Sequence, residues 1–346
     1  VVDPLEMIAD IGADALRVAL VSGNAPGVDQ RLTPSKLTGG RNFTNKLWNA
    51  ARFVLGAQPV TGAADDRAAE PTLAVRWIRS RIAAATETAT RQLDTLDLAG
   101  YAATVYELAW SDYCDWFLEM AKVDLRREDA TDADRAATWT AAATELTNLL
   151  RLLHPLMPFV TEEIWSAMRE VVPDATVGEE LLVRAAWPRP AARDPEAERA
   201  FDDLAALVRG VRNLRTEAAI EAAAWVPLVV DPVDERSAMA LANVEPYLRT
   251  LARARPIDHH ADGPRPELVT ASPLGAAWLG VDASAVAAVA ERRAGQLAEL
   301  ERNIERVREL LANESFVGRA PAAVVERERA RLADLERERA QLVSGA

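Results

Sequence analysis

Apolar residues recur at spacings of three and four through most of the first 190 positions, a pattern that predicts packed helices. Pro4 suits a helix's first turn, and Leu5, Ile8, Ile11, Ala15 and Val18 follow at helical spacing until Gly23, Pro26 and Gly27 end the segment. Residues 34–55 predict a second helix with Phe43, Leu47, Ala50 and Val54 on its apolar stripe, and residues 56–65 a loop. Three longer helical stretches follow near 71–94, 97–127 and 132–153. The middle one carries Tyr106, Trp110, Tyr113, Phe117 and Met120 at core spacing. His154-Pro155-Leu156-Met157-Pro158 interrupts the pattern, and a shorter helix resumes over 158–172.

The texture changes after Trp187-Pro188-Arg189-Pro190. Residues 195–219 predict a helix, 225–230 a short β-like run, 234–252 a further helix, and 256–275 short strands that would complete a small α/β module. Beyond residue 284, Leu297, Leu300, Ile304, Val307 and Leu311 alternate spacings of three and four, the seam of a coiled coil. Residues 313–320 break it, Pro321 restarts a helix, and Val325, Leu332, Leu335 and Leu342 occupy four of six seam positions. Two such helices fold back as an antiparallel hairpin whose first arm, over 284–312, is about 43 Å long. The expected fold is mainly α, in four parts: a connecting segment 1–33, a helical bundle 34–190, the α/β module 191–283 and a coiled-coil arm 284–346.

Composition narrows the function. At 346 residues the chain suggests several domains, and 49% hydrophobic with 27% charged residues is the balance of a soluble globular protein. No stretch approaches the ~18 uninterrupted apolar residues of a membrane span, and no charged-then-apolar leader pattern is visible. Val1-Val2-Asp3-Pro4 reads as the interior of a longer protein. Cys114 is the single cysteine, which leaves no internal disulfide or thiolate metal cluster and fits a reducing cytoplasm. The formal net charge of −13 argues, taken alone, against a nucleic-acid partner. Phosphate contacts depend on local patches, however.

One such patch stands out by what it lacks. Residues 30–64 contain no Asp or Glu, in a chain with 53 acids and 40 Lys and Arg, yet they carry Arg31, Lys36, Arg41, Lys46 and Arg52. On the predicted helix Arg41, Asn45, Asn49 and Arg52 form a polar stripe, with Asn42 and Lys46 beside it. Cationic groups neutralise phosphates, and Asn amides can meet unstacked bases. The alternative is a solvated helix face. Arg209, Arg212 and Arg215 form a second stripe, suited either to a phosphate backbone or to pairing with nearby carboxylates. The hairpin carries eleven Arg and eleven acids between positions 291 and 342, the pattern of solvent-exposed coiled-coil flanks. His154 suits capping or packing, and the adjacent His259 and His260 lack further ligands for a tetrahedral metal site. No phosphate-cradling glycine loop and no nucleophile–base motif is present in the sequence.

Several strings resemble the valyl-tRNA synthetases, class I enzymes that attach valine to its tRNA. Val1-Val2-Asp3-Pro4-Leu5-Glu6-Met7 and Gly12-Ala13-Asp14-Ala15-Leu16-Arg17 are similar to the segment after that family's KMSKS loop. Gly40-Arg41-Asn42-Phe43-Thr44-Asn45-Lys46-Leu47-Trp48-Asn49-Ala50 resembles the start of its helical anticodon-binding domain. Tyr113-Cys114-Asp115-Trp116, the stretch from His154 to Trp165, and Val211-Arg212-Asn213-Leu214-Arg215-Thr216-Glu217 follow in the family's order. Leu311-Ala312-Asn313-Glu314-Ser315-Phe316-Val317-Gly318-Arg319-Ala320-Pro321 looks like the tip of its C-terminal arm.

The resemblance covers nearly the whole chain and implies a tRNA-binding C-terminal portion, in the cytoplasm, of a monomeric enzyme that uses ATP and Mg. It implies valine tRNA and the enzyme's own catalytic domain as partners, with tRNA contacts from Arg41, Asn42, Asn45, Lys46, Asn49, Arg52, Arg212, Arg215 and Arg319. The family's HIGH and KMSKS motifs and its editing domain are not in this sequence, so no catalytic residue, metal ligand or cofactor site carries over, and the chain alone is expected to be inactive in valine-dependent ATP–pyrophosphate exchange. Isoleucyl and leucyl enzymes share the bundle. From a different class, a helical scaffold that assembles proteins through the Leu297–Leu311 seam also fits the acidic charge.

Overall fold

The computed structural model describes residues 3–23, 32–59, 70–172, 179–259, 266, 268–280, 283–313 and 322–344. The chain forms two compact units, Val1–Phe201 and Asp202–Ala346. The architecture is mainly helical with one small mixed sheet, as the periodicity predicts. No helix among the described residues is long and apolar enough to cross a membrane.

The first unit is a helical bundle. α1 (Pro4–Ile11) and α2 (Ala13–Val21) replace the single opening helix expected from the apolar spacing. Gly12 separates them with φ at 89°, a left-handed conformation that breaks the helical path and suits glycine. α3 (Pro34–Gly56) begins at Thr33, whose hydroxyl accepts from the Lys36 amide (3.4 Å), with Pro34 in the first turn. It buries Gly40, Phe43, Leu47, Ala50, Ala51 and Val54. α4 (Leu73–Asp94), α5 (Leu98–Glu107), α6 (Leu118–Arg126), α7 (Asp132–Leu153) and α8 (Pro158–Arg169) complete the bundle. Between α5 and α6 the chain runs as a π-helical segment, Leu108–Phe117, whose wider turns were not foreseen by a 3.6-residue period.

Trp77, Ile78, Tyr113, Phe117, Leu146, Leu149, Leu150 and Trp165 fill the interior. Buried polar tips find backbone partners, as they must. Tyr101 Oη donates to Leu152 O (2.6 Å), Tyr113 Oη to Ala142 O (2.8 Å) and Trp139 Nε1 to Val54 O (2.8 Å). α2 clasps the break between α7 and α8. The buried Asp14 carboxylate accepts from the Phe159 and Val160 amides (3.2 and 2.6 Å) at the α8 N-terminus, where the helix dipole favours an anion. Arg17 donates to the carbonyls of Pro155 and Leu156 (2.8 and 3.1 Å).

In the second unit, α9 (Pro195–Glu217, which begins within the first) packs through Leu204, Leu207, Val208, Val211 and Leu214. β1 (Val226–Asp231), α10 (Glu235–Leu251) and β2 (Ala254–Asp258) form a crossover unit with parallel strands. β3 (Thr270–Ser272) and β4 (Gly275–Leu279) form a hairpin that pairs antiparallel with β1, in the order β2-β1-β4-β3. Gly210 lets α9 approach the Thr270 side chain, where a Cβ would collide. α11 (Ala283–Ala312) and α12 (Ala322–Ser344) make the C-terminal hairpin. Their antiparallel sense follows from two cross-pairs, Arg308–Glu336 (2.6 Å) and Glu301–Arg339 (3.3 Å), and Ile304, Val307 and Val325 are buried.

His154 gives the first unit a pH dependence. The Thr161 hydroxyl donates to Met157 O (2.7 Å), so the contact with His154 Nδ1 (2.9 Å) has the imidazole N–H donating to it. Burial lowers the His154 pKa from its ordinary 6.5, against the opposing pull of Glu162 and Asp14. Between the two values the unfolded chain binds more protons than the folded one, so stability rises with pH there and falls as pH drops below about 6.5. His154→Gln should flatten this acid limb. Urea midpoints at pH 7.5 and 5.5 check it, and identical pH dependence in both proteins would reject the assignment.

Candidate nucleic-acid interface

The roll of α3 is set by its buried side. Gly40 packs on the backbone of Ala15 so closely that a Cβ would overlap the Ala15 carbonyl oxygen. Phe43 lies 4.6 Å from the Tyr106 ring and 6.3 Å from Trp110, and Tyr106 and Trp110 stack on each other at 5.6 Å. With Phe43, Leu47, Ala50 and Val54 turned inward, the opposite face is fixed at about 100° per residue. Arg41, Asn45, Trp48 and Arg52 fall on it within about 60° of arc. Asn42 and Asn49 flank them, and the stripe from Arg41 to Arg52 is about 16 Å long.

Arg41, Asn42, Asn45, Asn49 and Arg52 are exposed. No ion pair joins Arg41 or Arg52 to a carboxylate among the described residues. Lys46 differs. It sits at the edge of the face with Nζ 2.6 Å from Asp115 Oδ1 and 3.6 Å from the Trp110 ring centroid. A carboxylate and an aromatic face already meet its charge, so Lys46 belongs to the packing between α3 and the π-helical segment rather than to the open stripe. The acid-free run was read along the chain, and Asp115 arrives from another helix.

Trp48 is the residue that sequence reasoning passed over. It is 40% exposed and lies three residues after Asn45 and four before Arg52, on the cationic stripe. Its angular position was available from the sequence, since it falls outside the apolar stripe of Phe43, Leu47 and Val54. Beside this region Cys114 is half-buried, and burial pushes its thiol up to about 12, with Lys46 opposing and Asp115 adding to the shift. It stays a thiol at neutral pH.

The second arginine stripe divides. Arg215 is 5% exposed, and its guanidinium donates to five carbonyls. Nη1 reaches Ala252 (3.3 Å) and Arg253 (3.1 Å), while Nη2 reaches Glu221 (2.8 Å), Ala222 (3.2 Å) and Ala224 (2.8 Å). Buried among backbone oxygens that take its donors, this guanidinium is placed to hold the fold together rather than to meet a phosphate. Among the described residues no carboxylate pairs with it, and backbone oxygens take the donors. Arg212 is exposed and donates through Nε and Nη2 to Leu251 O (3.2 and 2.9 Å); Arg209 is exposed. Arg319 lies outside the described residues, as does His260. His259 Nε2 stands 2.7 Å from Glu245 Oε2. Among the described residues no group of three or more His, Cys, Asp or Glu could hold a metal ion.

Comparison with known proteins matches two stretches of the chain to known families. Residues 75–230 match the family described as "Anticodon-binding domain of tRNA ligase", and residues 285–345 match "Valyl tRNA synthetase tRNA binding arm". The chain thus carries an anticodon-binding domain and a valyl-tRNA synthetase tRNA-binding arm. It is 41% identical over 333 residues to the valine–tRNA ligase of Thermus thermophilus, covering 95% of this chain and 35% of that protein. The valine–tRNA ligases of Dehalococcoides mccartyi (36% over 340 residues) and Geobacillus stearothermophilus (34% over 333) cover 95% and 94% of the chain. The chain spans about a third of the length of these curated relatives (35–37%). A crystal structure of an Agrobacterium radiobacter LeuRS–tRNA–LeuAMS ternary complex aligns with 55% of this chain and 21% of that one, at 18% identity and a TM-score of 0.37. α3 precedes the stretch that matches the anticodon-binding family, whereas Arg212 and Arg215 fall inside it.

Arg215 is thus predicted to build the fold. Replacing it by Ala takes a donor from five carbonyls, of which Glu221 O and Arg253 O keep a backbone N–H, and should cost about 3 kcal/mol. Hydrogen exchange at the β1 and β2 amides should lose on the order of a hundredfold in protection. Unaltered protection would show that the guanidinium is dispensable.

Proposed function

We propose that this chain is the tRNA-gripping portion of a valine–tRNA ligase, with the α3 face as its main cationic contact for the anticodon arm. The observation that carries the reading is the exposed stripe of Arg41, Asn45, Trp48 and Arg52, with no paired carboxylate at either arginine among the described residues, in a chain of net charge −13. Arg41 and Arg52 would neutralise phosphates, Asn42, Asn45 and Asn49 would meet base edges, and Trp48 offers a stacking plane for an unpaired base. In this reading Lys46 contributes by holding α3 in place. Arg212, exposed and bound to Leu251 O, remains a candidate phosphate contact, and Arg319 is assigned to the tip of the arm on resemblance alone.

The C-terminal hairpin would touch the outside of a folded RNA by shape, since its Arg and acidic side chains pair with one another along the arms. Ile304, Val307 and Val325 fill their own intramolecular seam, which supports a monomer over assembly through that surface. The cytoplasm is the compartment this reading implies. Valine activation with ATP and Mg would be the work of the ligase's catalytic domain.

Fluorescence titration with valine tRNA tests the proposal. Affinity should fall steeply between 50 and 200 mM salt, about 0.7–0.9 in log–log slope for each neutralised phosphate. Arg41→Ala with Arg52→Ala should flatten that slope by about 2. Trp48→Ala should weaken binding roughly tenfold while leaving the slope unaltered, because stacking releases no counterions. Salt-independent affinity, or none at low salt, would refute the reading.

A further inference from the structure

A second cationic corner lies where β1 and β2 begin. The two strands run parallel with Val226 opposite Ala254, and the Val226 amide donates to Arg253 O (3.1 Å). This pairing brings Trp225, which precedes β1, beside Arg253 and Arg255, which flank Ala254. The Arg255 guanidinium carbon stands 4.3 Å from the Trp225 ring centroid, and the indole is 38% exposed. A guanidinium laid on an aromatic face is held flat while its edge donors stay available for a phosphate.

Arg253 is exposed and donates one guanidinium nitrogen to Ala223 O (3.2 Å). Arg215 lies beneath, its pKa lowered first by burial and then by the charges of Arg253 and Arg212. The acids of the same turn, Glu217 and Glu221, are exposed, and no ion pair joins Arg215, Arg253 or Arg255 to a carboxylate among the described residues. Arg215, Arg253 and Arg255 gather like charge at this corner, and an anion relieves the repulsion among them.

The backbone adds an independent observation. Arg253 follows the C-cap of α10 with φ at 49°, the left-handed position where helices place glycine. An arginine there carries a conformational cost that glycine would remove. Its one side-chain bond among the described residues, to Ala223 O, is a small return for that cost.

We propose that Trp225, Arg253 and Arg255 form a separate RNA contact, a clamp for a sugar–phosphate backbone that works in addition to the α3 face. The inference rests on the RNA-binding reading above. Arg253 and Arg255 neutralise phosphates, and Trp225 holds the second guanidinium in its stacked pose.

The test is titration of the full chain with valine tRNA at several salt concentrations. Arg253→Gly relieves the left-handed backbone, so its thermal midpoint should hold while affinity at low salt weakens roughly three- to tenfold. The log–log salt slope should fall by about 1. Arg255→Gln keeps a planar group over Trp225 without the charge and should act likewise, which decides the matter if Arg253→Gly lowers the midpoint. If the unsubstituted chain binds and Arg41→Ala with Arg52→Ala weakens it, while both corner variants keep full affinity and slope, the clamp is refuted and the broader reading survives. If the unsubstituted chain shows no salt-dependent binding, both fall together.

Discussion

The close approach of α2 to α3 at Gly40 is the constraint on which the candidate interface depends. A helix with an apolar stripe can roll by tens of degrees and still bury most of that stripe. Here the Ala15 backbone sits where any side chain at position 40 would be, so the two helices have one tight contact about which α3 cannot rotate. Phe43 then enters the aromatic group of Tyr106 and Trp110, and Leu47, Ala50 and Val54 follow inward. The outward direction of Arg41, Asn45, Trp48 and Arg52 is a consequence of that packing. α2 is itself tied down through Asp14 and Arg17 to the start of α8, so the stripe is mounted on three mutually braced helices.

Net charge is a poor guide to a local surface because it ignores where charges are already paired. Arg76 binds Asp194 (2.8 Å), Arg79 binds Glu145 (3.3 Å), and Arg81 binds Asp112 (2.9 Å). These pairs fix helices together and add little to the outer field. The hairpin pairs Arg308 with Glu336 and Arg339 with Glu301 in the same way. At physiological ionic strength the Debye length is about 8 Å, so a phosphate at the α3 face senses the nearest few charges far more than the total. Acid-free α3 remains cationic in an acidic molecule for that reason.

Much of the fold was legible because helix periodicity is a property of neighbours in sequence. α3, α4, α7, α9, α10 and both hairpin arms lie within a few residues of where the apolar spacing puts them. What escaped was decided by contacts from elsewhere in the chain. Gly12 lies inside the stretch whose apolar spacing predicts one helix, yet it adopts a positive φ and splits it. The π-helical segment has ordinary helix-forming composition, and nothing local announces its wider, i to i+5 hydrogen bonding. Lys46 reads as free until Asp115, 69 residues away, meets it. The cationic stripe itself could be read from spacing, but Trp48 was overlooked because a tryptophan amid apolar residues is taken for core unless its angle is computed.

Arg212, Arg215 and Arg253 show how one residue type takes opposed roles a few ångströms apart. A guanidinium has five donors in a plane and no acceptor, so its role is decided by which oxygens surround it. Around Arg215 the turn over residues 219–225 and the end of α10 both aim carbonyls inward, and a buried carbonyl without a donor is costly. The cation enters because the loop needs it, and burial with like neighbours lowers its pKa as the electrostatic cost. Arg253 lies outside that ring of oxygens with one carbonyl contact, and Arg255 lies on an indole. Their charges therefore face the solvent side of a site whose interior is already positive. A periodicity argument joins 209, 212 and 215 into one stripe, whereas the folded chain joins 253 and 255 to Trp225, three residues that no sequence spacing would group.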